Sequence, residues 1–365
     1  MGDKEMLFII ILLVIVFMIS VYLYHCLKNF VKVFKEELSK GLKIVLKVVS
    51  FLLAALMMNI FSLYTLFMFH FIVINMICEG ICYLLFKENQ FLKKICRLCL
   101  LPICLSALLL GYGYVHIRDV HMTHYTIQTK KSLSQSYRIA YLSDLHYSNT
   151  MNKKRLEEYC HQIENYKPDV IILGGDIVDE QTTYTQLQEV FETIGNMTCP
   201  DGIYYVYGNH DHSSYTLTPN YTVNQLNKAI TSNNIILLSD TLIQIDNELT
   251  IVGRDDRSFN KQRRKSEDFL QFIDDDHFIL LLDHQPVELQ KNNMLKYDLQ
   301  LSGHTHSGQI FPLGYFIDMF GEMNYGYKSF DHLQVITSSG MVGWGYPIRT
   351  QGISEFVIID IVGEI

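Results

Sequence analysis

Two histidines one residue apart give the segment Leu301–Gly308, LSGHTHSG, the means to hold a metal ion. In an extended segment, residues two apart point to the same side of the chain, so the imidazoles of His304 and His306 can converge on one point. The small residues beside them let the backbone bend around that point. A polar surface loop would look the same in isolation, so the interpretation depends on the segments upstream.

Four upstream segments share this design. Each begins with a short apolar run and ends in carboxylate, imidazole or amide side chains. These side chains are Asp144 and His146 after residues 139–142, Asp176 and Asp179 after 170–173, Asn209 and His210 after 203–207, and His284 after 278–282. Oxygen and nitrogen donors together suit manganese, iron or zinc, and the absence of thiolate donors argues against a closed structural zinc site.

Residues 116–365 must supply the elements that position these side chains. Short apolar runs such as Tyr137–Leu142 and Val170–Leu173 alternate there with amphipathic segments such as 152–166. This alternation predicts an α/β fold in which helices cover both faces of the sheet. Functional residues in such folds collect just past the carboxyl ends of strands, which is where all five segments place theirs.

The stretches DLH, GGDIVD, GNHD, the isolated His284 and GHTH occur in this order between residues 144 and 306. Taken together, they resemble the calcineurin-like metallophosphoesterase superfamily. The resemblance implies a sandwich of two mixed β-sheets flanked by helices. The stretches 308–314 and 338–349 also resemble a branch of membrane-associated or exported bacterial phosphoesterases.

The resemblance also implies a site with two divalent metal ions. The implied ligands are Asp144, His146 and His306 for one metal, Asn209, His284 and His304 for the other, and Asp176 for both. His210 would lie near the leaving-group oxygen without binding metal, and Asp179 would orient His210. Such a pair of ions clamps a phosphoryl group while a metal-bridging hydroxide attacks it, so both phosphodiesters and phosphomonoesters fit.

Two arginines are candidate substrate contacts. Arg349 ends a Pro-x-Arg stretch that borders the site in the branch which the chain resembles, and Arg254 follows Gly253 after an apolar run. A guanidinium suits a phosphate because it donates in a planar fork. Ordinary surface charges would explain both residues equally well, so the two interpretations stay open.

The first third of the chain differs sharply from the rest. Hydrophobic residues make up 49% of the chain and charged residues 19%, and the apolar excess lies almost entirely before residue 116. We therefore predict a membrane region at 1–115 and a metallophosphoesterase domain at 116–365. About four transmembrane helices are expected, at residues 6–24, 46–65, 68–86 and 98–115, because each run approaches the thickness of a bilayer core. Glu79 is an ionisable exception whose role stays open.

Basic residues predict the orientation of these spans. Six lysines lie between Lys28 and Lys47, and four basic residues lie between Lys87 and Arg97. The positive-inside rule places both loops in the cytoplasm, so four spans put the catalytic domain on the outer face of the cell membrane. There, Cys160 and Cys199 could form a disulfide, although the sequence alone does not decide it.

The leading hypothesis is a multi-pass, membrane-anchored phosphohydrolase whose partners are a phosphoester substrate and the lipid bilayer. Its position suggests a lipid-linked or cell-envelope substrate. The net charge of −8 argues against nucleic-acid binding, and no protein partner can be inferred. The alternatives are a metal-binding interaction scaffold on the same fold and the output domain of a membrane sensor.

Overall fold

A computed structural model describes residues 3–363 apart from 87, 148, 275 and 322. Lys87, one of the basic residues counted above, therefore lies outside the described residues. The chain divides into two compact units, Met1–Tyr112 and Gly113–Ile365. Cys160 and Cys199, which the sequence left open as a pair, are both free thiols.

Helices occupy the described residues that precede the first strand. They are α1 (Asp3–Phe34), α2 (Lys40–Leu56), α3 (Leu63–Leu85), α4 (Gln90–Arg97) and α5 (Leu100–His116). In the described part of the chain, α1 and α3 are long and apolar enough to cross a membrane, and α4 with α5 adds a third span if this pair, bent by 48°, counts as one. The described residues therefore contain two to three candidate spans, whereas four were predicted.

The turn between the predicted spans 46–65 and 68–86 lies earlier in the chain than predicted. Helix α2 ends at Leu56 and α3 begins at Leu63, so the turn occupies residues 57–62 and not the predicted 66–67. The Ser62 hydroxyl accepts the backbone N–H of Thr65 at 3.0 Å and caps the start of α3. With 17 residues, α2 is only about 25 Å long, less than a hydrocarbon core of about 30 Å.

The second unit contains two mixed six-stranded sheets. The first has the order β1-β12-β2-β3-β4-β5, and the second has the order β10-β11-β9-β8-β7-β6. The strands are β1 (Val120–Thr129), β2 (Tyr137–Leu142), β3 (Val170–Leu173), β4 (Ile203–Tyr205), β5 (Ile235–Leu237), β6 (Thr241–Ile245), β7 (Leu249–Gly253), β8 (Phe278–Leu282), β9 (Leu299–Ser302), β10 (Gly326–Ser329), β11 (Gln334–Thr337) and β12 (Ser354–Gly363). The predicted sandwich of two mixed sheets is confirmed.

Helices cover the outer faces of this sandwich. They are α6 (Lys153–Asn165), α7 (Tyr184–Gly195), α8 (Val223–Thr231), α9 (Glu267–Leu270) and α10 (Leu289–Met294), while α11 (Leu313–Phe320) packs against the turn His306–Gly308 after β9. Alternate residues of β2 enter different cores, because Ile139 faces the second sheet while Ala140 packs with α6 and α7. Burial on both faces explains why the central strands are apolar throughout.

Strand direction brings the polar segments together. Strands β2, β3 and β4 are parallel neighbours in the first sheet, and β8 and β9 are parallel neighbours in the second. Parallel neighbours end at the same edge of a sheet, so the segments that follow these five strands can meet there.

Candidate metal centre

Two groups of buried or half-buried side chains meet beyond the ends of β2, β3, β8 and β9. Within each group, the candidate ligand atoms lie within 4.8 Å of one another. The groups are Asp144, His146 and His306, and Asp176, His284 and His304. All six residues belong to the seven predicted metal ligands.

The first group contains two imidazoles and one carboxylate. His306 Nε2 lies 3.5 Å from Asp144 Oδ1, and the rings of His146 and His306 are 5.2 Å apart. The Nδ1–H of His146 donates to Asp179 Oδ2 at 3.2 Å. This bond fixes the ring so that its other nitrogen, Nε2, is available on the side of the site.

The second group, Asp176, His284 and His304, lies next to Asn209, the seventh predicted ligand. His284 Nε2 lies 3.1 Å from Asp176 Oδ2, while its Nδ1–H donates to the Gly174 carbonyl at 2.8 Å. Asn209 Oδ1 lies 2.7 Å from His304 Nδ1, which places the amide oxygen beside this group.

Asp176 faces both groups. Its Oδ2 atom is 3.1 Å from His284 Nε2 in one group and 3.9 Å from His146 Nε2 in the other. The carboxylate is almost completely buried, with 1% of the residue exposed. A single carboxylate between two sets of nitrogen donors is the arrangement that a bridging ligand requires.

The donor atoms fit divalent metal ions. Of the residues that the structure describes, His146 Nε2 and His306 Nδ1 are buried polar atoms without a hydrogen-bond partner. Such atoms are costly to bury unless they bind something. Carboxylate, imidazole and amide donors without thiolates suit manganese, iron or zinc.

Without metal, electrostatics favours the metal-binding protonation state at some ligands and opposes it at others. Burial and the nearby charge of His284 lower the pKa of His304 to about 4, and burial lowers the pKa of His306 well below its usual value. Burial alone would raise the pKa of Asp176, but His284 beside it holds that pKa well below its usual range. Burial alone would lower the pKa of His284, but the Asp176 carboxylate raises it well above its usual value, so a metal that binds there must displace a proton.

The loops that carry the ligands are tightly packed. Asp144, Asp176 and His304 have φ angles of 51°, 53° and 72°, a left-handed conformation uncommon for residues other than glycine. A Cβ atom on Gly208 would lie 2.2 Å from Asp176 Oδ1, and one on Gly340 would lie 2.4 Å from Asp144 Cβ. Glycine at these two positions therefore lets the backbone approach the ligands.

Asp211 is a structural residue of the site that the sequence analysis did not identify. Its buried carboxylate accepts the backbone N–H groups of Asp176 at 2.8 Å, Ile177 at 3.0 Å and Gly208 at 2.6 Å. It thereby joins the loops after β3 and β4. The available clue in the sequence was that an acidic residue directly follows the GNH stretch.

His210 has a different acidic partner from the one predicted. Its Nδ1–H donates to the Glu180 carboxylate at 3.0 Å, whereas Asp179 bonds to His146. Asp179 is turned away from His210 because its Oδ1 accepts the N–H of Gln181 at 2.9 Å. The prediction that Asp179 orients His210 is therefore wrong in this structure.

The two arginines predicted to contact substrate bond to groups of the protein instead. Arg349 is fully buried and donates to the carbonyls of His306 at 2.8 Å, Ser339 at 2.9 Å and Val342 at 2.7 Å. Arg254, also buried, pairs with Asp283 at 3.1 Å and with Glu288 at 2.6 Å. Neither guanidinium is open to a substrate or forms the exposed surface charge considered above.

Comparison with known proteins identifies relatives of the second unit. The family described as calcineurin-like phosphoesterase matches residues 137–308. An uncharacterized metallophosphoesterase of Aquifex aeolicus is 30% identical over 267 residues, which cover 71% of this chain and 98% of that protein. The uncharacterized metallophosphoesterase YkuE of Bacillus subtilis is 32% identical over 206 residues, or 55% of this chain and 70% of YkuE.

A vertebrate protein is also similar. The transmembrane protein with metallophosphoesterase domain of Danio rerio is 26% identical over 283 residues. The matched region covers 72% of this chain and 62% of that protein. The match therefore extends beyond the length of the second unit.

Proposed function

The chain belongs to the calcineurin-like phosphoesterase family, and we propose that it is a membrane-anchored phosphohydrolase that works with two divalent metal ions. Membership makes it a metallophosphoesterase, a hydrolase that acts on phosphoester bonds. The observation that supports two ions is the position of Asp176, whose carboxylate faces two separate sets of imidazoles.

Seven side chains would hold the metals. They are Asp144, His146 and His306 for one ion, Asn209, His284 and His304 for the other, and Asp176 for both. When bound, the ions supply Lewis acidity, which polarises the phosphoryl group and lowers the pKa of water. Manganese, iron and zinc all remain candidates, because all three accept this mixture of oxygen and nitrogen donors.

His210 is the proposed proton donor to the leaving group. A carboxylate only accepts hydrogen bonds, so the contact with Glu180 assigns a hydrogen to His210 Nδ1. The backbone N–H of His210 also donates to Asp176 Oδ1 at 2.7 Å, which holds the residue against the metal centre. Its Nε2 is then the atom that gives a proton to the leaving oxygen, a contribution of about 10²–10⁴-fold in rate.

The proposed domain organisation follows the change in composition. Residues 1–115 would be the membrane region with four crossings, and residues 116–365 would be the catalytic domain outside the cytoplasm. The long apolar helices α1 and α3 support membrane anchoring, and a relative named as a transmembrane protein agrees with it. A catalytic domain held at a membrane favours a lipid-linked or cell-envelope phosphoester as substrate.

The proposal is tested on the purified full-length protein in detergent or vesicles. Metal is removed with a chelator and restored as manganese, iron or zinc, and hydrolysis of phosphodiesters, phosphomonoesters and phospholipids is measured. We expect activity to disappear with the metal and to return with at least one ion. His210→Ala should lower turnover by about 10²–10⁴-fold while the bound metal stays unchanged.

Two outcomes would contradict the proposal. A protein that binds metal yet hydrolyses no member of the panel is not the proposed enzyme. Activity that survives Asp176→Ala, the variant that removes the shared carboxylate, would exclude the proposed pair of metal ions.

A further inference from the structure

Helix α11 presents its apolar side chains to the outside of the second unit. Tyr315, Phe316, Met319 and Phe320 are 62%, 53%, 69% and 81% exposed. At about 100° per residue these four positions share one face of about 140°. Gly314 is buried and Ile317 is half-buried on the opposite face.

This is the reverse of an ordinary surface helix, whose apolar stripe faces the core. The only charged residue of α11 is Asp318, which lies at the border between the two faces. A contiguous exposed apolar face of this kind usually marks a surface for a membrane or a partner.

Hydrogen bonds connect the start of α11 to the place where the chain enters the second unit. The Gly314 N–H donates to Gln351 Oε1 at 3.0 Å, and the Phe311 N–H donates to Thr350 Oγ1 at 2.9 Å. The neighbouring Arg349 N–H donates to the carbonyl of Gly113 at 3.0 Å. Two sets of hydrogen bonds within the second unit therefore link the start of α11 to Gly113, in the last turn of α5.

Helix α5 itself is suited to a membrane. It is apolar around its whole circumference, and Leu108, Tyr112 and Val115 are exposed. Near its end, the guanidinium of Arg118 lies over the ring of Tyr114 at 3.7 Å from the centroid. Tyrosine and arginine at the end of an apolar helix are typical of the boundary between lipid and water.

The metal centre and the segment bonded to α11 lie at the same edge of the first sheet. Strand β12, which follows residues 350–352, runs antiparallel to β2 with Val357 opposite Tyr141. The amino end of β12 therefore lies at the same edge as the carboxyl end of β2, where Asp144 follows. The second link to the metal centre is Gly308, which lies two residues after His306 and packs directly on Gly314 of α11.

We propose that α11 is an interfacial helix that inserts its exposed face, Tyr315, Phe316, Met319 and Phe320, into the bilayer that anchors the chain. The bilayer is the occupant that fits, because the segment bonded to α11 is the one that leads from the apolar helix α5. Insertion of this kind reaches about 5–10 Å into the boundary between headgroups and acyl chains. It brings the metal centre to the lipid surface, so phosphoesters carried by lipids reach it directly.

The test uses tryptophan fluorescence, because the chain has only one natural tryptophan, Trp344. Full-length Phe316→Trp is reconstituted into phosphatidylethanolamine–phosphatidylglycerol vesicles with and without brominated acyl chains, which quench tryptophan on contact. The same protein without the substitution supplies the contribution of Trp344. We expect the added fluorescence to fall in brominated vesicles, because insertion to this depth brings residue 316 into contact with the acyl chains.

Ile236→Trp is the matched control. Ile236 is 41% exposed and lies in β5, the edge strand opposite β1. Strand β12 begins just after the segment bonded to α11, and four strand spacings of about 4.8 Å, or about 19 Å, separate it from β5, so the fluorescence added by Ile236→Trp should not be quenched. Met319→Trp on the same face of α11 serves as a second probe if Phe316→Trp does not fold.

Quenching at positions 316 and 319 but not at 236 supports the proposal. Equal fluorescence in both kinds of vesicle at positions 316 and 319 overturns it and assigns the face to a protein partner. The inference rests on the membrane anchoring in the proposed function and not on its chemistry. The measurement uses no substrate, so it stays valid even if the protein hydrolyses no phosphoester.

Discussion

Asp179 and Glu180 are neighbours in the chain, yet their carboxylates bond to different histidines. Asp179 accepts from His146, and Glu180 accepts from His210. The first histidine belongs to the metal centre, and the second is the proposed proton donor. The two acids should therefore affect different steps, which separate variants can distinguish.

Asp179→Asn should weaken metal binding. Burial raises the pKa of Asp179, but the bond from His146 holds it below its usual value, so the native carboxylate is ionised near neutral pH. An amide is a weaker acceptor and leaves His146 less firmly oriented. We expect affinity for one of the two proposed ions to fall by about 10–100-fold, measured by metal titration, with turnover recovering at saturating metal. Unchanged affinity for both ions would contradict this role.

Glu180→Gln should impair turnover without loss of metal. Without its carboxylate partner, His210 is a poorer proton donor, so turnover should fall by about tenfold or more. The loss should be larger for alkyl phosphoesters than for nitrophenyl phosphoesters, because a good leaving group needs no proton. The exposed Glu192→Gln is the matched control. An equal loss for both leaving groups would indicate a structural role instead.

Motif spacing predicted which side chains would converge, but not how each one is oriented. Asp144, Asp176 and His284 follow parallel strands, and strand direction alone brings them to one edge. The partner of His210 depends instead on the course of the loop after Asp179, where Gln181 turns the carboxylate aside. Such local hydrogen bonds leave no periodic pattern in a sequence.

At the scale of elements, the loop 338–349 closes one side of the metal centre through Arg349. Its guanidinium joins the carbonyls of Ser339 and Val342 in this loop to that of His306 after β9. Three carbonyls that share one buried cation form a clamp that a lysine cannot reproduce, because an ammonium lacks the planar fork.

Arg349→Lys should therefore destabilise the fold around His306. The loss of charged hydrogen bonds costs about 1.5–3 kcal/mol each, so we expect the apparent melting temperature in detergent to fall by about 5 °C or more. The exposed Arg257→Lys should leave it unchanged. A raised KM with an unaltered melting temperature would instead restore Arg349 as a substrate contact.

Buried elements were easier to predict than exposed ones. Strands β2 and β3 have the predicted bounds, because burial on both faces leaves an unbroken apolar run. Strand β1 was missed, because this edge strand, VHMTHYTIQT, is polar and largely exposed. Helix α11 was missed as well, since its apolar residues face outward and follow no core-facing pattern.

At the scale of the whole molecule, the number of crossings decides where the catalytic domain lies. If α2 does not cross, three spans put the N-terminus and the second unit on opposite sides. The basic residues around Lys93 would then lie on the side opposite to those around Lys43, against the positive-inside rule. If α2 crosses, its lysines at positions 40, 43 and 47 must reach back to the cytoplasmic surface, because the uncharged residues 48–56 are only about 14 Å long and the bilayer must thin around them.

We therefore expect α2 to cross, with the N-terminus and the catalytic domain both outside the cytoplasm. Epitope tags before Met1, between α1 and α2 at residues 35–39, and after Ile365 can be compared for protease access in bacterial spheroplasts. Both terminal tags should be cleaved in intact spheroplasts, and the tag at 35–39 only after lysis. A cytoplasmic marker protein that stays intact until lysis is the control. Cleavage of just one terminal tag would mean an odd number of crossings, and cleavage of the N-terminal tag alone would place the catalytic domain in the cytoplasm.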